Sequence, residues 1–319
     1  MNGIIIINKP KGCTSHDIVY KIKKMFNQKV GHTGTLDPMA TGVLPILVGK
    51  GTLCSKYLIN HDKIYEVELQ LGKKTDTADI EGNVIEEKEV LDNILDINNV
   101  ESVLKTFLGK QKQTPPMYSA IKVKGKKLYE YARKGQNIEV EPRNIEIYNI
   151  QLININKEEK IVKFKVHCSK GTYIRSLCED IATGLGTIGF MKNLNRIQVG
   201  EFNIKNAIEI EELEQKINNT EFIDKHFITL EDLFYNSEKI ILEDRKLELF
   251  LNGVKLTNKK RDGIYKIYNN NKFIGIGVVK DELLKRDIII IWIFFMRASS
   301  YITNILHLPK VVEKLNCLW

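Results

Sequence analysis

The clearest hydrophobic pattern in this 319-residue chain is Tyr65-Glu66-Val67-Glu68-Leu69-Gln70-Leu71. It alternates at every residue, the period of a strand with one buried face. Ile4 to Ile7 is a short β-branched run closed by the turn signal Lys9-Pro10-Lys11-Gly12, and it also reads as a strand. Thr14-Ser15-His16-Asp17 then supplies N-cap residues, and Ile18, Ile22 and Phe26 recur at helical spacing. Val100 to Leu108 has a helical pattern. Tyr173 to Leu185 is amphipathic and meets Gly184 and Gly186 at its end. Ile145 to Ile155 and Ile161 to Cys168 predict two strands joined by the charged turn Asn156 to Lys160. Between Gly31 and Thr52, five glycines and two prolines argue against a long helix or a regular strand. Gly31 to Pro38 is therefore expected to be an ordered loop.

Helices and strands do not alternate regularly, which predicts an α+β fold rather than a doubly wound parallel sheet. A composition change near Asn236 divides the chain into a large domain, 1–236, and a small one, 237–291. In the small one, GVKL, GIYKIYNNN and KFIGIGVV suggest short strands and an all-β unit. The last piece, 292–319, is an apolar tail with no assignment.

Composition narrows the class. The chain is 43% hydrophobic and 28% charged, which suits a soluble protein with a buried core. A net charge of +8 with pI about 9.0 favours a polyanionic partner without proving one. Five scattered cysteines give neither a zinc spacing nor a disulfide framework, which points to a reducing cytoplasm. No secretory signal is visible, and no apolar run reaches membrane-spanning length.

The candidate chemistry lies in Gly31-His32-Thr33-Gly34-Thr35-Leu36-Asp37-Pro38. The glycines permit positive φ, and Pro38 stiffens the backbone after Asp37. A carboxylate there is either a turn-former or a functional group. No GKS or GKT follows, so a phosphate-binding P-loop is not supported. A lone acid without neighbouring His or acid does not make a metal site. The residues themselves stop at a candidate loop and a candidate carboxylate.

GHTGTLDPMATGVLPILVG closely resembles the signature of the TruB family of pseudouridine synthases. Four further blocks fall in order: NKPKGCTSHD, KIYEVELQLGKKTDTADIEG, PPMYSAIKVKGKKLYEYARKG and CSKGTYIRSLCEDI. The resemblance covers roughly residues 1 to 230. It implies a pseudouridine synthase fold with a mixed, mainly antiparallel sheet and flanking helices. The C-terminal segment is similar to the small PUA-type RNA-binding β-barrel.

The implied activity is isomerisation of uridine 55 in the tRNA T-loop. Asp37 matches the family's nucleophile, acting on the sugar carbon or through a glycal. Arg175 matches an arginine that keeps this carboxylate ionised and oriented. Tyr65 matches the tyrosine that stacks on the base and takes part in proton transfer. Tyr173 and Leu194 match residues of the uracil pocket, and His32 one that fills the space left by the flipped base. Lys9 and Lys122 are expected to touch phosphates or to brace the loop. The resemblance implies no metal and no cofactor, because the leaving base is also the returning reactant. It implies the tRNA T-arm as partner, no membrane, no obligatory protein partner, and a monomer. Two alternatives stay open: a guide-dependent synthase of ribosomal RNA, whose members carry longer extensions, and a non-catalytic RNA-binding or RNA-folding protein on the same scaffold.

Overall fold

The computed structural model describes residues 1–136 and 138–290. The expectation for the tail 292–319 lies outside the described residues. The chain divides into two compact units, one spanning Gly3–Phe227 and one beginning at Ile228. The division falls ahead of the composition change at Asn236. The segment between is tied to the second unit by polar contacts, with the Tyr268 hydroxyl meeting Glu231 and Lys266 Nζ donating to the Tyr235 carbonyl at 3.2 Å.

The first unit is built on a mixed, mainly antiparallel sheet. Its main path runs Ile208–Glu209, Gly3–Lys9, Thr41–Val48, Gly189–Val199, Lys63–Leu71, Ile161–Cys168, Arg143–Asn156 and Gly109–Gln113. The first two of these pair in parallel, as do Thr41–Val48 and Gly189–Val199, and the remaining pairs on the path are antiparallel. The alternation in Lys63–Leu71 buries Tyr65, Val67, Leu69 and Leu71 on one face. The helices Ile97–Thr106 and Ile174–Gly184 close this core with Val100, Leu104, Leu177 and Ile181. A second cluster packs Ile18 and Ile22 of the helix Ser15–Phe26 against Ile5, Ile7, Leu44 and Ile46. That helix starts on a full capping box, with Thr14 and Asp17 each satisfying the other's backbone N–H.

One expectation fails. Thr41–Val48 is a regular strand despite Pro45, with all but its first residue buried. A strand residue points its N–H and C=O to the same edge, and Pro45's carbonyl accepts from the Thr33 N–H at 3.2 Å. The missing donor therefore faces the place where the short partner strand Val30–His32 ends, and costs the ladder little.

The second unit holds a curled five-stranded sheet ordered Lys239–Ile241, Gly263–Asn269, Lys272–Lys280, Leu283–Ile289 and Leu256–Thr257. It corresponds to the PUA-like β domain expected there. It is not all-β, however. Asp244–Leu251 is a helix, because Leu247, Phe250 and Leu251 share one face and bury against Ile267 and Leu284.

Candidate active site

Asp37 lies on the turn between the strands Val30–His32 and Thr41–Val48, beside a cavity of about 530 Å³. The loop is held from several directions. Ser15 Oγ accepts from the Leu36 N–H at 2.8 Å and donates to the Leu36 carbonyl at 3.1 Å. Lys9 Nζ donates to the carbonyls of Pro10, Pro38 and Ala40 at 2.8, 3.3 and 2.7 Å. An aspartate on a loop anchored this way has few positions open to it.

Arg175 comes from the first turn of the helix Ile174–Gly184. Gln113, on the strand Gly109–Gln113, fixes that turn: its amide donates to the Tyr173 carbonyl at 3.0 Å and accepts the Tyr173 N–H at 2.8 Å. The buried guanidinium then reaches Asp37 Oδ2 from Nε at 3.2 Å and Asp79 Oδ2 from Nη1 at 3.4 Å. Its other N–H groups donate to the carbonyls of Thr77 at 3.2 Å and Tyr118 at 2.9 Å. Asp79 is itself held, since its Oδ1 accepts from Thr77 Oγ1 at 2.7 Å and from the Glu81 N–H at 3.0 Å. Ala78 before it sits at φ +60°, a left-handed conformation unusual for a residue with a Cβ.

One cation thus stands between two carboxylates. The Asp37 side chain is 34% exposed and that of Asp79 only 5%, so Asp37 alone presents a substantial surface to a ligand. Burial pushes the Asp37 carboxyl above the ordinary aspartate range, Arg175 pulls it down, Asp79 pushes it up and Lys9 pulls it down, leaving it raised. Tyr65 faces the same cavity from the sheet. Burial pushes its phenol up to about 12, so at neutral pH it is a protonated hydrogen-bond donor.

Asp37, Tyr65, Arg175, Tyr173 and Leu194 all line this cavity, and Leu194 is buried. His32 is not among the lining residues. It ends the strand Val30–His32, paired with Ile46, and its Nδ1 is buried without a partner. Burial lowers its pKa, so the ring is neutral at physiological pH. Lys9 is 0% exposed and fully engaged with carbonyls, so it has no surface for a phosphate. Of its two expected roles, only loop bracing matches its contacts. Lys122 is exposed on the small hairpin Lys122–Val123/Lys126–Lys127, away from the cavity lining.

Reading the chain did not single out Asp79, Gln113, Arg196, Lys63, Tyr118 or Lys170. Asp79 and Gln113 lie far in sequence from the groups they hold, so no spacing reveals them. Lys63 and Lys170 line the cavity as cations. Among the described residues, no cluster of three or more His, Cys, Asp or Glu is placed to hold a metal, and no helix is long and apolar enough to cross a membrane.

The comparisons with known proteins agree along the chain. Residues 23–174 match the N-terminal domain of TruB family pseudouridylate synthases, and residues 175–240 match the tRNA pseudouridylate synthase B C-terminal domain. The chain is 47% identical to tRNA pseudouridine synthase B of Clostridium kluyveri, over 89% of this chain and 98% of that protein. It is 40% identical to the Francisella tularensis protein of the same name, over 91% of this chain and 97% of that one. Among solved structures, a Cbf5-Nop10-Gar1 complex aligns with TM-score 0.63 at 25% identity, over 91% of this chain and 84% of the matched one. With family models covering residues 23–240 and relatives at least 40% identical over most of its length, the chain belongs to the TruB family of pseudouridylate synthases.

Proposed function

We propose that this chain is an isomerase that converts the T-loop uridine of tRNA to pseudouridine, with Asp37 acting on the ribose. The observation that carries this reading is the Asp37–Arg175 pair at 3.2 Å on the wall of a cavity large enough for a nucleoside. The tRNA substrate follows from the relatives named tRNA pseudouridine synthase B.

The reaction breaks the bond from uracil N1 to ribose C1′ and makes one from C5 to C1′. Asp37 adds to C1′ as the base leaves with the bonding pair, or it removes the C2′ proton to give a glycal. The freed base turns so that C5 faces C1′, and the new bond forms as the carboxylate departs or returns its proton. C5 then loses its hydrogen as a proton and N1 gains one, so the product has the atoms of the substrate.

Each neighbouring group has a part that its environment suits. Arg175 keeps Asp37 ionised and aimed. Tyr65 offers a ring for stacking and an O–H donor, since burial keeps its phenol protonated at neutral pH. Tyr173 and Leu194 flank the uracil, and Lys63 and Lys170 face the phosphates of the bound nucleotide. His32, neutral and flat, fills the gap in the T-loop once the base has turned out, which offsets part of the unstacking cost. Lys122 contacts the backbone from its exposed hairpin.

The test is incubation of the purified chain with tRNA transcript carrying tritium at uridine C5. Stoichiometric tritium release with pseudouridine at the T-loop uridine is expected. Tight binding without release would favour the non-catalytic RNA-binding reading. Product at another position, or only on ribosomal RNA with a guide, would overturn the substrate assignment.

A further inference from the structure

Arg196 is the largest fully buried side chain of the first unit, 1% exposed. It lies on the strand Gly189–Val199, with Gly42 as its neighbour on one side and Tyr65 on the other. Its Nε donates to the Val43 carbonyl at 2.8 Å and its Nη2 to the Gly34 carbonyl at 2.9 Å. Arg196 and Tyr65 face each other across the paired strands and line the same cavity. Gly34 precedes Asp37 and Val43 follows it, so one planar group ties the two ends of the loop together and sets them beside Tyr65. Gly34 suits this place because its φ is +83°, a conformation that favours glycine.

The hydrogen-bond partners of this buried cation are two carbonyls, and its cross-strand neighbour is a phenol. Such burial costs stability that an apolar side chain of similar volume would not, so a positional role accounts for the charge better than packing does. Lysine is a poorer fit, because one nitrogen would have to reach both carbonyls that the guanidinium contacts from two separate, rigidly spaced nitrogens.

We propose that Arg196 is a positioning residue for the isomerisation: it sets the distance between Asp37 and Tyr65, and hence between the carboxylate and the stacked base. The inference rests on the proposed reaction. It differs from loop bracing by Lys9 in linking the loop to the base-stacking side of the cavity.

Arg196→Lys, assayed well below its melting temperature and with a native near-UV spectrum, tests it. The expected result is a single-turnover rate lower by about a hundredfold, the scale of an ångström's misplacement, with the Kd for tRNA changed less than about threefold. A rate per folded molecule within twofold of wild type would overturn the proposal, as would a loss carried wholly by Kd. If Arg196→Lys does not fold, Arg196→Gln replaces it, keeping one N–H donor without the charge. If neither folds, the wild-type chain decides by nitrogen-15 NMR. The Arg196 Nε–H should stay slow to exchange and unshifted when RNA binds, and a large shift or fast exchange would overturn the role. An inactive wild-type chain would instead sink the reaction itself.

Discussion

Two groups of cations, one in each unit, sit in contrasting surroundings. In the first, Lys9, Arg175 and Arg196 are each less than 10% exposed and donate to loop carbonyls or to active-site side chains. In the second, Lys255, Lys259, Lys260 and Arg261 lie on exposed positions close together in sequence, with Lys260 paired to Glu238. Buried cations can hold a loop and its carboxylate in place, whereas exposed ones act on charged ligands at longer range. A net charge of +8 does not separate these uses. Substitutions in the first group should therefore act on the rate constant, and those in the second on affinity and its salt dependence.

Below the loss of Asp37 itself, the largest effect is expected at Arg175. Arg175→Gln should lower kcat by about 10² to 10³-fold, the range for removing one charge-stabilising donor, with tRNA binding retained. The pH profile carries the sign. In the proposed reaction the ionised carboxylate of Asp37 acts, and its pKa is raised, so the rate should fall on acidification before an ordinary aspartate would protonate. Arg175→Gln removes the cation that pulls this pKa down and should move the acid limb to higher pH. Asp79→Asn removes a like charge that pushes it up and should move the limb to lower pH. Shifts in the same direction for both variants would break the picture of one cation between two acids.

The exposed group should respond differently. Reversing Lys255, Lys259 and Arg261 to Glu should weaken tRNA binding by about tenfold or more and flatten the salt dependence by about 0.7 to 0.9 per lost phosphate contact. The rate on bound tRNA should stay within twofold. An unchanged salt slope would show that this turn does not face RNA. The smallest effect is expected at His32. His32→Ala should slow turnover a few-fold on folded tRNA and less on a loosely folded T-loop RNA whose uridine is already unstacked. Equal losses on both substrates would leave His32 as a residue that braces the end of its strand.

What the chain reveals when read alone follows the same division. Local patterns were legible: the alternation of Lys63–Leu71, the capping of Ser15–Phe26 by Thr14 and Asp17, and the amphipathic helix behind Arg175. Asp37 was visible as a candidate, but its reaction came from the resemblance and not from spacing. The strand at Thr41–Val48 was hidden by Pro45, whose tolerance depends on which edge of the sheet it faces. The helix Asp244–Leu251 was masked by its short length among polar turns. Asp79, Gln113 and Arg196 were not legible, since each acts on groups 60 or more residues away along the chain, or through a carbonyl that any residue possesses. Such roles exist only after the sheet has brought the strands together.

Asp37→Asn tests the central claim most directly. It keeps the size and polarity of the side chain and removes its charge. Burial raises the Asp37 pKa, so the contribution of this group to stability is present at low pH and is lost as pH rises through the folded value. At neutral pH the charged carboxylate therefore works against folding, and Asp37→Asn should melt no lower than wild type. In a single-turnover assay with tritium-labelled tRNA, we expect binding within about threefold of wild type and a rate reduced by about 10⁴-fold or more. Tritium release by a folded Asp37→Asn chain at a rate near wild type would contradict the assignment of Asp37 as the group that acts on the ribose.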